Sequence, residues 1–261
     1  MEYLIICLVA LTASGLTLFS GFGLGTILLP AFALFFPLPT AIAATAVVHL
    51  ANNLFKLALL GGAADRGVVL RFSLPAAFAA LLGAGALVMF AGFPPLLEYQ
   101  LGGRELVVTP IKLTVGSLIT LFACLELSPR FAELALPKRY LPIGGLLSGF
   151  FGGLSGNQGA LRSAFLIKAG LDKKAFVATS VVSAVIVDLA RLSVYGASFY
   201  SARLVALPEG AVSLVIAACV AAFGGAFIGA RLLDKITLRA VQLIVAAAMT
   251  VVGMGLAAGI L

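Results

Sequence analysis

The chain has 261 residues, 62% of them hydrophobic and only 10% charged, with a net charge of +7. A soluble domain carries about a quarter charged residues, so this composition excludes a water-soluble fold and points to an integral membrane protein with several crossings. The basic residues fall in short stretches between apolar runs, where they set topology, so the positive charge is not read as nucleic-acid binding.

In chain order, the apolar runs predict helical segments at 3–36, 40–60, 72–92, 107–126, 141–168, 175–195, 211–232 and 238–260. The opening MEYLIICLVALTAS carries Glu2 and no Lys or Arg, a poor signal-peptide start, so it is expected to stay in the mature protein. Cys7, Cys124 and Cys219 lie inside apolar runs and read as small buried hydrophobes. Segments 3–36 and 141–168 are longer than one span of about 20 residues and shorter than two. Each is interrupted by glycines: Gly21, Gly23 and Gly25 in the first, and Gly152, Gly153, Gly156 and Gly159 in the second.

The two halves match. At an offset of 134 residues, Ser14-Gly15 falls on Ser148-Gly149, Gly25 on Gly159, Ala44-Thr45 on Ala178-Thr179 and Val47-Val48 on Val181-Val182. This internal repeat divides the chain into 1–130 and 131–261, two repeats of one membrane domain. A glycine-broken segment at the same place in each half of a transporter is a sequence pointer to a substrate site.

Charge distribution bears on how the halves are oriented. If each long segment crosses once, the Lys and Arg residues divide almost evenly between the two sides. If each enters and returns as a hairpin, the first side holds Lys56, Arg66, Arg71, Arg130, Lys138, Arg139, Lys168, Lys173, Lys174, Arg231, Lys235 and Arg239. The second side then holds only Arg104, Lys112, Arg191 and Arg203, and Arg162 lies within the second hairpin. The hairpin arrangement restores a positive side. It leaves three crossings per half, so the halves are expected to be inverted, with both termini on the periplasmic side of a bacterial-type cytoplasmic membrane.

The candidate site residues lie at the hairpins and on the helix after each. In the stretch GGLSGNQGALRSAFL, Gly156 and Gly159 bring backbone N–H groups to a half-helix start, whose positive dipole end attracts an anion. Arg162 is placed to fork onto an oxyanion, with Asn157 and Gln158 as neutral donors. The alternatives are that Arg162 reaches the membrane surface and that the two amides cap the broken helix. Gly21, Gly23 and Gly25 could present bare N–H groups from the other half, or serve close helix packing.

TAVVHLANNLFK places Thr45, His49, Asn52 and Lys56 at spacings of 4, 3 and 4, on one helix face, with Asn53 beside them. TSVVSAVIVDLARLSVY holds Thr179, Ser180, Ser183, Asp188, Arg191 and Tyr195. Asp188 and Arg191 read as an intramembrane ion pair before a proton carrier. His49, the single histidine, could relay protons, or be held by a hydrogen bond in a helix interface. One histidine with no Cys/His cluster gives no metal site; there is no P-loop, no nucleophile elbow and no implied cofactor, so the chain is not read as an enzyme.

The motifs SGFGLGTILLP…AIAATAVVHLANNLFK and SGFFGGLSGNQGALRSAFL…AFVATSVVSAVIVDLAR resemble the TauE/SafE family of sulfite exporters, also described as sulfonate permeases, and the resemblance covers essentially the whole chain. It implies an all-α membrane transporter for small sulfur anions such as sulfite, sulfoacetate or other sulfonates, coupled to protons. The glycine hairpins, Thr45 and Thr179 carry over. Many members have a run of glycines and a proline in the second repeat, where this chain has Gly156-Asn157-Gln158-Gly159 and Arg162, a departure that bears on substrate.

The expected substrate site is therefore Gly21, Gly23, Gly25, Thr45, Asn52, Asn53, Gly156, Asn157, Gln158, Gly159, Arg162 and Thr179. His49, Lys56, Asp188 and Arg191 are expected to couple or gate. The expected partners are a small anion, protons, the lipid bilayer and a possible second copy of the chain. The rival readings are a carboxylate or other organic-anion permease and a non-transport membrane assembly subunit.

Overall fold

A computed structural model of the chain describes residues 1–17, 24–128, 136–200, 210–232 and 238–261. The first long segment is two helices, α1 (Glu2–Thr17) and α2 (Leu24–Ala33). Gly21 and Gly23 lie outside the described residues, and Gly25 sits on the first turn of α2. Helix α3 (Leu38–Leu60) leads through a 3-10 turn, Gly61–Ala63, to α4 (Arg66–Ala91).

Helix α4 begins six residues before the expected segment because Asp65 caps it, accepting the Val68 N–H at 2.8 Å. Arg66 and Arg71, expected in a loop, are exposed residues of its first turns. Long basic side chains at a helix end can carry their charge to the interface, so apolarity alone understates such a helix.

The chain is mostly helical, as expected, with a short hairpin between the helices. Strands β1 (Leu97–Leu101) and β2 (Arg104–Val108) form an antiparallel hairpin, with Tyr99 opposite Leu106. Gly102 and Gly103, at φ of 61° and 78°, supply the two left-handed residues of its turn. The segment expected from 107 therefore starts later, as α5 (Pro110–Leu127), with Thr109 as its cap.

In the second half, a 3-10 turn at Lys138–Tyr140 precedes α6 (Leu141–Ser155), α7 (Gly159–Leu166), α8 (Lys173–Tyr200), α9 (Ala211–Leu232) and α10 (Leu238–Ala257). The helix breaks after Ser155 because Gly156 is left-handed, at φ 82°, and its N–H turns back to the Gly152 carbonyl. Phe165 lies against Gly144 and Gln158 against Gly152, so α7 runs back along α6.

Helices α3, α4, α8 and α9 contain stretches long and apolar enough to cross a membrane, and α1, α5 and α10 contain shorter apolar ones. Helix α4 packs on α6, α1 on α9, α5 on α10 and α3 on α8. Exchanging the halves maps this contact pattern onto itself, since α1 and α6, α3 and α8, α4 and α9, and α5 and α10 occupy matching places. Small residues make the closest crossings. Gly145, Gly149 and Gly153 on α6 face the backbone of Phe72, Ala76 and Ala80 on α4, where a Cβ would collide with a carbonyl. Gly225 on α9 meets the Leu11 carbonyl in the same way. Lipid tails are as apolar as leucine, so such close backbone packing takes over much of the role that hydrophobic burial has in water.

Candidate functional site

A polar centre forms where α3, the α6–α7 break and α8 meet. Its hub is Asp188, with 0% of its surface exposed. Arg191, one turn on, donates Nε–H to Asp188 Oδ1 at 3.0 Å and brings Nη2 to 2.7 Å from the same oxygen. Gln158 Nε2 donates to Oδ1 at 3.1 Å. His49 Nδ1 stands 2.6 Å from Oδ2, and Asn53 Nδ2 donates to Oδ2 at 3.3 Å. Asn53 Nδ2 also lies 3.0 Å from His49 Nδ1, so this amide spans the imidazole and the carboxylate. The His49–Asp188 bond joins α3 to α8 across the two halves.

The break itself is built around this hub. Arg191 Nη1 donates to the Gly152 carbonyl at 3.4 Å, and the Tyr195 hydroxyl donates to the Gly153 carbonyl. Those carbonyls belong to the last turn of α6, and the Gly152 carbonyl takes Arg191 in addition to the Gly156 N–H. The Ser148 hydroxyl donates to the Gln158 carbonyl at 2.8 Å. Arg162 donates Nε–H to the Ser180 hydroxyl at 2.8 Å and Nη1–H to Gln158 Oε1 at 3.1 Å. Gln158 is thus held at both ends of its amide and braces Arg162 against Asp188.

The first half reaches the same place. A Cβ on Gly25 would lie 3.6 Å from His49 Cδ2, 3.8 Å from the Gly156 carbonyl and 3.9 Å from Thr45 Cγ2. The start of α2 and the turn before α7 therefore meet over the His49–Thr45 face of α3. The first intrahelical bond of α7 is Arg162 N–H to the Gln158 carbonyl, so the N–H groups of Gly159, Ala160 and Leu161 precede its ladder. Gln158, at the cap position, makes no side-chain cap, so the capping alternative fails for this residue.

The expected site residues sort into two groups. Gln158, Asn53, His49, Asp188 and Arg191 are bonded to one another. Thr179 is also engaged, its hydroxyl accepting the Asp65 N–H at 3.0 Å, at the start of α4. In contrast, Thr45 Oγ1, Asn52 Nδ2 and both amide atoms of Asn157 are buried with no partner. Asn52 Oδ1 accepts from Ser14 on α1 at 3.1 Å. Lys56 is buried. Ser14 and Ser148 carry bonds that the sequence signalled only through their matching places in the repeat.

Charge decides what such a centre can hold. Among the described residues the buried Lys, Arg, Asp and Glu side chains are Lys56, Arg162, Arg191 and Asp188. Among the described residues three basic side chains thus stand beside one carboxylate, and a charge in a membrane interior costs at least a few kcal/mol. Among the described residues no group of His, Cys, Asp and Glu could hold a metal.

The structure thus sets a buried, basic polar centre among helices four of which are long and apolar enough to cross a membrane. Residues 6–256 match the sulfite exporter TauE/SafE family model, and the chain belongs to that family. A comparison with curated proteins gives no match.

Proposed function

We propose that the protein is a secondary transporter that carries a small sulfur oxyanion, sulfite or a sulfonate, through the centre between the start of α2 and the α6–α7 break. The observation that carries this reading is the basic character of the centre among the described residues: Lys56, Arg162 and Arg191 with Asp188, all buried, beside a helix start that Gln158 does not cap. An anion at that helix start neutralises the excess charge and accepts from N–H groups that no side chain caps. Arg162, braced by Gln158 and Ser180, supplies the field; Asn157, Asn52 and Thr45 supply uncommitted polar atoms.

The contact pattern that survives exchange of the halves supports two repeats, and the distribution of Lys and Arg favours their being inverted, one rocking against the other to open the site to either side. In this reading both termini face the periplasm, and His49, held at Nδ1 by Asp188, carries a coupling proton on its other nitrogen. The test is flux of radiolabelled sulfite and ethanesulfonate into liposomes holding the purified protein alone, with acetate for comparison. Wild type should give saturable flux of a sulfur anion, and Arg162→Gln should lower it by roughly tenfold to a hundredfold while remaining folded. Flux of acetate alone would move the assignment to carboxylates, and no flux of any anion would favour an assembly subunit.

A further inference from the structure

Asn157 carries information about the ligand beyond its charge. It lies in the break between α6 and α7, 5% exposed, and neither its amide nitrogen nor its amide oxygen has a partner. The other uncommitted polar atoms of this centre, Asn52 Nδ2 and the Thr45 hydroxyl, can all be satisfied by an acceptor, as can the N–H groups at the start of α7. An amide differs from these: whichever way it is turned, one of its two atoms is an acceptor that can only be met by a donor. A ligand made solely of oxyanion and hydrocarbon would leave that oxygen buried and unmet, close to its own negative charge.

We infer that the transported anion carries a hydrogen-bond donor on a short carbon chain, a hydroxyl or an ammonium, and that Asn157 reads it. The sulfonate oxygens face the α7 start and the cationic side chains, and the donor meets the Asn157 amide oxygen. Asn157 is then the specificity-determining residue of the site. This rests on the anion-transport reading and narrows it to substituted alkanesulfonates. The selectivity follows from burial, since a site built to bond a polar group of its substrate rejects the analogue that lacks it.

The experiment compares 2-hydroxyethanesulfonate with 1-propanesulfonate, which have the same charge and nearly the same shape and differ by a hydroxyl in place of a methyl. Each is titrated calorimetrically into the purified full-length protein in nanodiscs. Wild type should bind the hydroxylated anion at least about tenfold more tightly. Asn157→Leu should bring the two affinities together, chiefly by weakening the hydroxylated one. If this variant does not yield monodisperse protein, Asn157→Ala takes its place. Equal binding of the two anions to wild type would overturn the donor inference and leave the anion reading standing. An undiminished preference in a folded Asn157 variant would overturn the role of Asn157. Binding of neither anion would remove the sulfonate reading and the inference with it.

Discussion

Thr45 on α3 and Thr179 on α8 occupy matching places 134 residues apart, and both are buried. The Thr179 hydroxyl accepts a backbone N–H from Asp65, whereas the Thr45 hydroxyl has no partner. The same contrast runs along the two helices. On α8, Ser180, Ser183, Asp188, Arg191 and Tyr195 are each bonded to a named group, several on other helices. On α3, His49 and Asn53 are tied to Asp188, but Thr45 and the Asn52 amide nitrogen are uncommitted, and Lys56 is buried. Two helices of common pattern have thus diverged: the polar residues of α8 are bonded around the break, and α3 leaves part of its set without a protein partner. A polar residue inside a membrane is therefore read by its partners, not by its presence.

The contrast breaks most visibly at the hub. Asp188→Ala leaves Arg191 buried without its carboxylate and frees His49, Asn53 and Gln158 together. Loss of one partner of a buried pair costs about 3–5 kcal/mol, so this variant should lose most of its monodisperse yield and melt far below wild type. A melting temperature equal to wild type would show that α8 does not organise the centre.

Lys56→Met probes the other helix. It replaces a buried ammonium by an apolar chain of similar length, so stability should stay within about 1 kcal/mol of wild type or rise. Anion affinity should fall roughly tenfold as one of three cations is lost. A variant that is destabilised like Asp188→Ala, with unchanged affinity in the protein that remains, would place Lys56 in the scaffold.

The finest form of the comparison is the threonine pair. Thr179→Val removes the acceptor of the Asp65 N–H and should cost about 1 kcal/mol, seen as a lower thermal midpoint with anion affinity preserved. Thr45→Val removes no bond, so its midpoint should match or exceed wild type, and its effect should appear in anion affinity alone. Equal effects of both substitutions on stability would erase the distinction between the helices.

Much of this arrangement was legible in the chain. The glycine cluster 152–159 ended α6 where expected, because a left-handed residue at 156 needs no Cβ. The spacing of Thr45, His49, Asn52 and Lys56 placed them on one buried face, and Asp188 paired with Arg191 one turn away. The partners across helices were not legible. That Gln158 braces Arg162 against Asp188, and that His49 bonds the same carboxylate, depends on how the α6–α7 break approaches α3 and α8. A linear pattern carries no such distance. The 97–108 hairpin was missed for a different reason: its Leu, Tyr and Val residues run directly into an apolar helix, and only Gly102-Gly103 marks the turn.

The most direct test of the central claim is the thermal midpoint of purified wild-type and Arg162→Gln protein as 2-hydroxyethanesulfonate is titrated in at constant ionic strength. An anion that neutralises the buried excess of positive charge should raise the wild-type midpoint in a saturable way, by an amount equivalent to about 2.7 kcal/mol at one hundred times its dissociation constant. The same titration should leave Arg162→Gln nearly unmoved. Equal, saturable shifts in both proteins would show that the anion binds elsewhere and would contradict the account.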